Sequence, residues 1–137
     1  REKGLDELLC DLKQPFLGVC LGLQLMCRFT EEGNRQGLGV FPTDVKHFPK
    51  EHKVPHMGWN DIRQPSGPLF EGIPEGTDFY FVHSYYAEEC LHTAAITDYG
   101  LPFSAALQED NFYAVQFHPE KSAEAGEKVL KNFLEIK

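Results

Sequence analysis

Residues 15–22 read Pro15-Phe16-Leu17-Gly18-Val19-Cys20-Leu21-Gly22, and this stretch decides the fold. Proline cannot continue a helix's backbone hydrogen bonds, so Pro15 closes whatever helix precedes it. Phe16, Leu17 and Val19 form a short run with no polar member. Such a run predicts a strand covered on both faces, the kind found in parallel sheets. It wants parallel neighbours on both sides, and a parallel strand ahead of it would need upstream sequence. Working outward, Leu5, Leu8, Leu9 and Leu12 share one face of an amphipathic helix. On the other side, residues from Leu21 to about Glu32 favour helix, with Gly33 as a C-terminal stop. The first third therefore reads helix, strand, helix, which is an α/β unit.

The middle of the chain changes character. Residues 37–48 and 53–63 carry Gly, Pro and β-favouring types, which predict short strands and turns. Residues 66–77 predict a loop with a helical turn at Pro68-Leu69-Phe70. Residues 77–86 are aromatic and β-branched enough for a strand. Three more strands are expected over 92–97, 103–108 and 112–117, separated by turn residues at 98–100 and 109–111. Ser122 can cap a last helix with Glu124 in its first turn, and Val129, Leu130, Phe133 and Leu134 supply its buried stripe.

The composition bounds the function. The chain has 137 residues, 42% of them hydrophobic and 25% charged, the make-up of one soluble domain. Eleven Phe, five Tyr and one Trp supply the bulk that disordered chains lack. The formal net charge of −8 repels polyanions, so no nucleic-acid partner is expected. The longest apolar stretch, residues 16–27, is too short and too mixed to span a bilayer, so no membrane is expected. No leader pattern opens the chain, and a cytoplasmic location is expected. The cysteines at 10, 20, 27 and 90 form no Cys-x-x-Cys pair and are expected to be reduced. Residue 1 is Arg rather than Met, so the chain is either processed or part of something longer.

Cys20 has neighbours that the other cysteines lack. Gly18-Val19-Cys20-Leu21-Gly22 is Gly-x-Cys-x-Gly between strand and helix, the sulfur counterpart of a nucleophile elbow. The sharp turn projects the middle side chain, and the flanking glycines leave room for neighbouring chain. The helix start should favour the thiolate and lower the thiol pKa. The Leu21 N–H then points where an oxyanion would form. A buried cysteine in a glycine-rich turn explains the same five residues, so a partner base must decide. Among six histidines, His118 ends a strand and is followed by Pro119 and Glu120. Residues two apart on extended backbone share a side, so Glu120 can hold the His118 ring in one tautomer. His52 and His56 have ligand spacing, but Pro55 lies between them and no third ligand is near.

With Gly18–Gln24 and Gln116-Phe117-His118-Pro119-Glu120 in place, the sequence resembles the class I (triad) glutamine amidotransferases. The resemblance implies a three-layer, flavodoxin-like α/β fold with a central mixed sheet and a smaller antiparallel sheet. Residues 1–137 would form the C-terminal portion of that domain, N-terminally truncated. The family's Pro-Gly-rich segment that supplies an oxyanion donor has no counterpart here. Cys20 would be the nucleophile on the glutamine amide, His118 the general base and acid, and Glu120 its orienter. Lys53–Asn60, Tyr80–Tyr86 and His118–Ser122 resemble segments of the glutaminase subunits of imidazole glycerol phosphate synthases. By that likeness Gly18, Leu21, Gly22, Gln24, Glu32, Ser84 and Tyr85 hold glutamine, with Glu32 suited to the α-ammonium. Trp59, Asn60, Tyr80 and Lys121 would face a cyclase subunit in a hetero-oligomer. No metal or organic cofactor is expected. The alternatives are the glutaminase subunit of another class I enzyme, such as anthranilate synthase, or a cysteine hydrolase on the same elbow.

Overall fold

The computed structural model describes residues 13–136; the helix expected over Leu5–Leu12 and Cys10 lie outside the described residues. Strand β1 (Phe16–Val19) leads through Cys20 into helix α1 (Leu21–Met26). There follow β2 (Cys27–Thr30), β3 (Arg35–Gln36), β4 (Phe41–His47) and β5 (His56–Asp61). A 3-10 turn at Pro68–Phe70 precedes β6 (Asp78–His83), β7 (Tyr85–Ala87), β8 (Thr93–Asp98), β9 (Pro102–Glu109) and β10 (Phe112–Val115). A second 3-10 turn, Pro119–Lys121, leads into α2 (Ala123–Glu135).

The central sheet has the order β1-β10-β9-β8, with β1 parallel to β10 and the other pairings antiparallel. A second mixed sheet runs β3-β2-β4-β7, and β5 and β6 form a two-stranded antiparallel sheet. Strand β10 shows how the layers form. Its alternate residues Phe112 and Ala114 enter a core with Leu23, Met26, Phe41 and Val45, beneath α1 and the second sheet. Tyr113 and Val115 enter the other core, with Phe48, Phe79, Phe81, Phe103 and Phe117, beneath β5–β6 and α2. The period of two thus places apolar layers on both faces of the central sheet. Each fully buried Phe contributes about 1.5–3 kcal/mol of transfer free energy.

β1 has one partner among the described residues, β10, and its other edge carries no described strand. Its residues other than Gly18 are half-buried rather than covered on both faces, as suits a strand with one neighbour. The helix expected from Leu21 to about Glu32 ends at Met26. Cys27-Arg28-Phe29-Thr30 is instead a strand that pairs in parallel with β4. Strand pairing outweighs local helix preference there. Gly33 sits in the turn after β2 at φ 74° and is not a helix stop. The strand expected over 77–86 is two strands, broken at Ser84 where the chain leaves one sheet for another.

The last helix also differs from expectation. Ser122 stands at the N-cap position of α2, but its hydroxyl makes no capping bond. It donates to the His118 carbonyl at 2.6 Å and accepts from the Tyr80 N–H at 2.9 Å. Leu130 and Leu134 are 36% and 81% exposed, so they are not part of the buried stripe. That stripe is Gly126, Val129 and Asn132, with Phe133 packed beside it. Gly126 sets the rotation of the helix, because a Cβ there would lie 1.9 Å from the Pro119 carbonyl oxygen.

Candidate active site

Cys20 occupies the turn between β1 and α1 with φ 52° and ψ −102°. A non-glycine residue there is strained by about 1–3 kcal/mol and persists only where its surroundings hold it. They do hold it: the Cys20 N–H donates to the Val115 carbonyl at 2.8 Å, extending the β1–β10 ladder by one bond. Gly18 is required sterically, since a Cβ would meet Met26 Sδ at 2.6 Å and the Gly22 backbone at 3.0 Å. Gly22 is not, because a Cβ there would meet nothing within 4 Å.

The sulfur is surrounded by three polar groups. The thiol donates to the Val82 carbonyl at 3.7 Å, and Gln116 Nε2 donates to Sγ at 3.6 Å. The Leu21 backbone N–H is also aimed at the sulfur and favours its anion. Even so, burial pushes the Cys20 thiol above its ordinary range; Leu21 and Gln116 oppose the rise, while the Glu120 and Glu32 carboxylates add to it. The expected lowering at the helix start is therefore overturned. α1 has only six residues, and desolvation outweighs its N-terminus.

Register sets the ends of β1 and β10 beside each other. Val19 pairs with Val115 in parallel, so the two strands end side by side. Cys20 follows one end; Gln116, Phe117 and His118 follow the other. His118 Nδ1–H donates to Glu120 Oε2 at 3.1 Å, which fixes the tautomer and leaves Nε2 free to accept a proton. The His118 N–H is tied to the Tyr80 carbonyl at 2.9 Å. The two hydrogen-bond partners of the thiol, Val82 and Gln116, do not include His118.

A cavity of about 260 Å³ opens beside the sulfur, lined by Cys20, Leu21, Gln24, Glu32, Val82, His83, Ser84 and Tyr85. Five of the seven residues expected to hold a substrate meet there or on its rim: Leu21, Gln24, Glu32, Ser84 and Tyr85. Gly18 and Gly22 do not line it. Gln24 is 5% exposed, so it is a wall residue and not a helix surface residue. Trp59, Asn60, Tyr80 and Lys121 line no part of it. Trp59 is 54% exposed and pairs across the β5–β6 ladder with Tyr80, their rings edge to face at 5.9 Å. Among the described residues, no group of three His, Cys, Asp or Glu side chains could hold a metal. The sequence reading missed Gln116 and His83 as site residues. The signal for Gln116 was present, since it lies two residues before His118 on an extended strand.

A family model, glutamine amidotransferase class-I, matches residues 2–136. The chain belongs to the class I glutamine amidotransferases. It is 60% identical over 139 residues to the imidazole glycerol phosphate synthase subunit HisH of Bacteroides fragilis, covering 99% of this chain and 71% of that one. It is 51% identical over 144 residues to the protein of the same name from Moorella thermoacetica, covering 99% and 68%. Among solved structures, a glutamine amidotransferase from Thermotoga maritima superimposes with TM-score 0.65 at 18% identity, covering 96% of this chain and 52% of that one. The glutaminase domain of Trypanosoma brucei CTPS with bound acivicin gives 0.62 at 17% identity, covering 96% and 64%. These last two establish the amidotransferase fold: a mixed α/β architecture with a central mixed sheet and a smaller antiparallel one.

Proposed function

We propose that this amidotransferase hydrolyses glutamine and passes the ammonia to the cyclase subunit of an imidazole glycerol phosphate synthase, in cytoplasmic histidine synthesis. The observation that carries the reading is the strained Cys20 elbow facing a cavity walled by Gln24, Glu32, Ser84 and Tyr85. The 60% identity to a HisH subunit supports the choice of synthase.

The chemistry follows from the groups in place. Cys20 Sγ, after giving its proton to His118 Nε2, attacks the side-chain amide carbon of glutamine. The Leu21 N–H donates to the oxyanion. His118 returns the proton to the departing nitrogen, ammonia leaves, and a glutamyl thioester remains. His118 then takes a proton from water, whose oxygen attacks the thioester to release glutamate and restore the thiol. Glu120 keeps Nδ1 of His118 protonated throughout. The carboxylate of Glu32 suits the α-ammonium of the substrate. Ammonia in bulk water would be protonated and lose its nucleophilicity, which favours a tight complex. The exposed Trp59, with Asn60, Tyr80 and Lys121, is the surface proposed to meet the cyclase.

The test pairs the protein with a cyclase subunit. Glutamine-dependent formation of imidazole glycerol phosphate should vanish in Cys20→Ala, while ammonium salts still support it. Stimulation of glutaminase only by an anthranilate synthase partner would replace the assignment.

A further inference from the structure

Two buried histidines beside the cavity have no place in the chemistry above. His56 on β5 is 3% exposed and His83 at the end of β6 is 5% exposed. They are opposite each other in the β5–β6 ladder, and His56 Nδ1 lies 2.9 Å from His83 Nε2. His83 Nδ1 lies 2.7 Å from the Tyr85 carbonyl. His56 Nε2 lies 3.3 Å from Asn60 Nδ2, which also donates to the Asp98 carbonyl at 3.0 Å.

The partners dictate the direction of this chain. A carbonyl only accepts, so His83 carries its proton on Nδ1, and its Nε2 is an acceptor. His56 must then donate from Nδ1, which leaves its Nε2 to accept from the Asn60 amide. Both ends point the same way, and two neutral imidazoles satisfy every step. Burial holds both rings neutral, down to about 4 for His56 and about 3 for His83. Ring packing fixes the orientation: His56 lies stacked between Tyr99 at 4.1 Å and Phe81 at 5.0 Å.

The chain ends at the point of the fold that needs fixing. Ser84 lies between β6 and β7, where the backbone crosses from one sheet to another and the ladders give out. Besides the ladder pairings of His83 with His56 and Tyr85 with His47, two bonds hold that crossing: Phe48 N–H to the Ser84 carbonyl at 3.2 Å, and the His83 ring to the Tyr85 carbonyl. His83, Ser84 and Tyr85 all line the cavity. We infer that His83, braced by His56, is a positioning residue that sets the Ser84–Tyr85 rim of the pocket and so governs how tightly glutamine binds. The inference rests on the reading of this cavity as the glutamine site.

The thiol's hydrogen bonds go to Val82 and Gln116 and not to Ser84 or Tyr85, so the effect should fall mainly on KM. His83→Gln keeps a donor and an acceptor; His83→Leu keeps bulk and removes both. With the partnered enzyme, His83→Leu should raise KM for glutamine at least tenfold, with kcat within about threefold of wild type. His83→Gln should recover most of the loss. His56→Leu should act in the same direction, with a smaller change, and serves where His83→Leu folds poorly. Ammonium-dependent turnover should not change in any of them. Equal losses in Gln and Leu variants, an unchanged KM, or a loss confined to kcat would each overturn the inference. Amide hydrogen exchange separates its failure from failure of the functional reading. Faster exchange at 84–86 in His83→Leu but not His83→Gln would show that the brace exists even if glutamine were not the substrate. Unchanged exchange at those residues would overturn the brace itself.

Discussion

The histidine pair makes folding stability depend on pH in a defined direction. Both rings have folded-state values, about 4 and about 3, below the ordinary histidine value of about 6.5. Between those limits the unfolded chain binds more protons than the folded one, so stability falls as pH falls. The contribution is whole above about pH 7 and is lost progressively as pH drops toward the folded values. Between pH 7 and 5 each histidine should remove about 2 kcal/mol, because its unfolded form protonates while its folded form does not. Together that is about 4 kcal/mol, a large share of the roughly 5–15 kcal/mol of a typical domain. Urea unfolding followed by far-ultraviolet circular dichroism at pH 7 and pH 5 measures it. At a slope of about 2 kcal/mol per molar, the wild-type midpoint should drop by about 2 M. Carboxylates also titrate at lower pH, so the decisive comparison is with His56→Gln/His83→Gln, which preserves the hydrogen-bonding groups without titrating. The difference between the two pH values should shrink by several kcal/mol in the double variant. An equal pH dependence in both proteins would refute the assignment of buried, neutral imidazoles.

Other outcomes follow from the same geometry. Gln116→Leu should slow alkylation of Cys20 by iodoacetamide several-fold at pH 8, because the amide that favours the thiolate is gone; an unchanged rate would show that the 3.6 Å contact does not matter. Cys27 is buried, and its thiol is pushed up to about 12, so mass spectrometry should find it unmodified under those conditions. Gly126→Ala should destabilise the protein by about 1–3 kcal/mol and reduce turnover as well, since the added methyl displaces Pro119 between His118 and Glu120. Thermal unfolding and glutaminase assays together check it. Trp59→Ala should leave the melting temperature nearly unchanged, because the ring is over half exposed, while weakening binding of the cyclase subunit in a titration.

The legible parts of the sequence were those in which one short segment carries its own reason. The run Phe16–Val19, the Gly-x-Cys-x-Gly turn between strand and helix, and the strand before His118 each announced the local structure that is found. The boundaries that failed depended on distant partners. Cys27–Thr30 reads as helix alone and becomes strand because β4, beginning at Phe41, lies parallel beside it. Leu130 and Leu134 look buried by periodicity, but Gly126 against Pro119 turns the helix so that other residues face inward. The thiol was expected to be acidified by a helix start, and a six-residue helix could not outweigh burial. His83 stayed invisible because its meaning lies in a ladder partner 27 positions away. Glu32 and Gln24 were legible only through resemblance; nothing local to either predicts that both line one cavity.

Among the described residues, one parallel pairing in the central sheet brings Cys20 and the segment leading to His118 to one edge. Cys20 and His118 both follow the last residue of a strand, or nearly so, and β1 and β10 run the same way in register. Their C-terminal ends therefore coincide, and Cys20 and the Gln116–His118 segment emerge at the same edge. Reversing β10 relative to β1 would place its C-terminal end beside Phe16, one strand length away. Four residues of strand span about 13 Å at about 3.3 Å each, far beyond the reach of a side-chain proton transfer. The antiparallel neighbours serve a different purpose. β5–β6 fastens His118 through the Tyr80 carbonyl, receives the thiol at the Val82 carbonyl, and carries His83 to the cavity rim. One strand, β6, thus touches His118, Cys20 and the cavity. A small displacement of β6 would reach all three at once, and its ladder partner β5 carries the exposed Trp59 that is proposed to meet the cyclase.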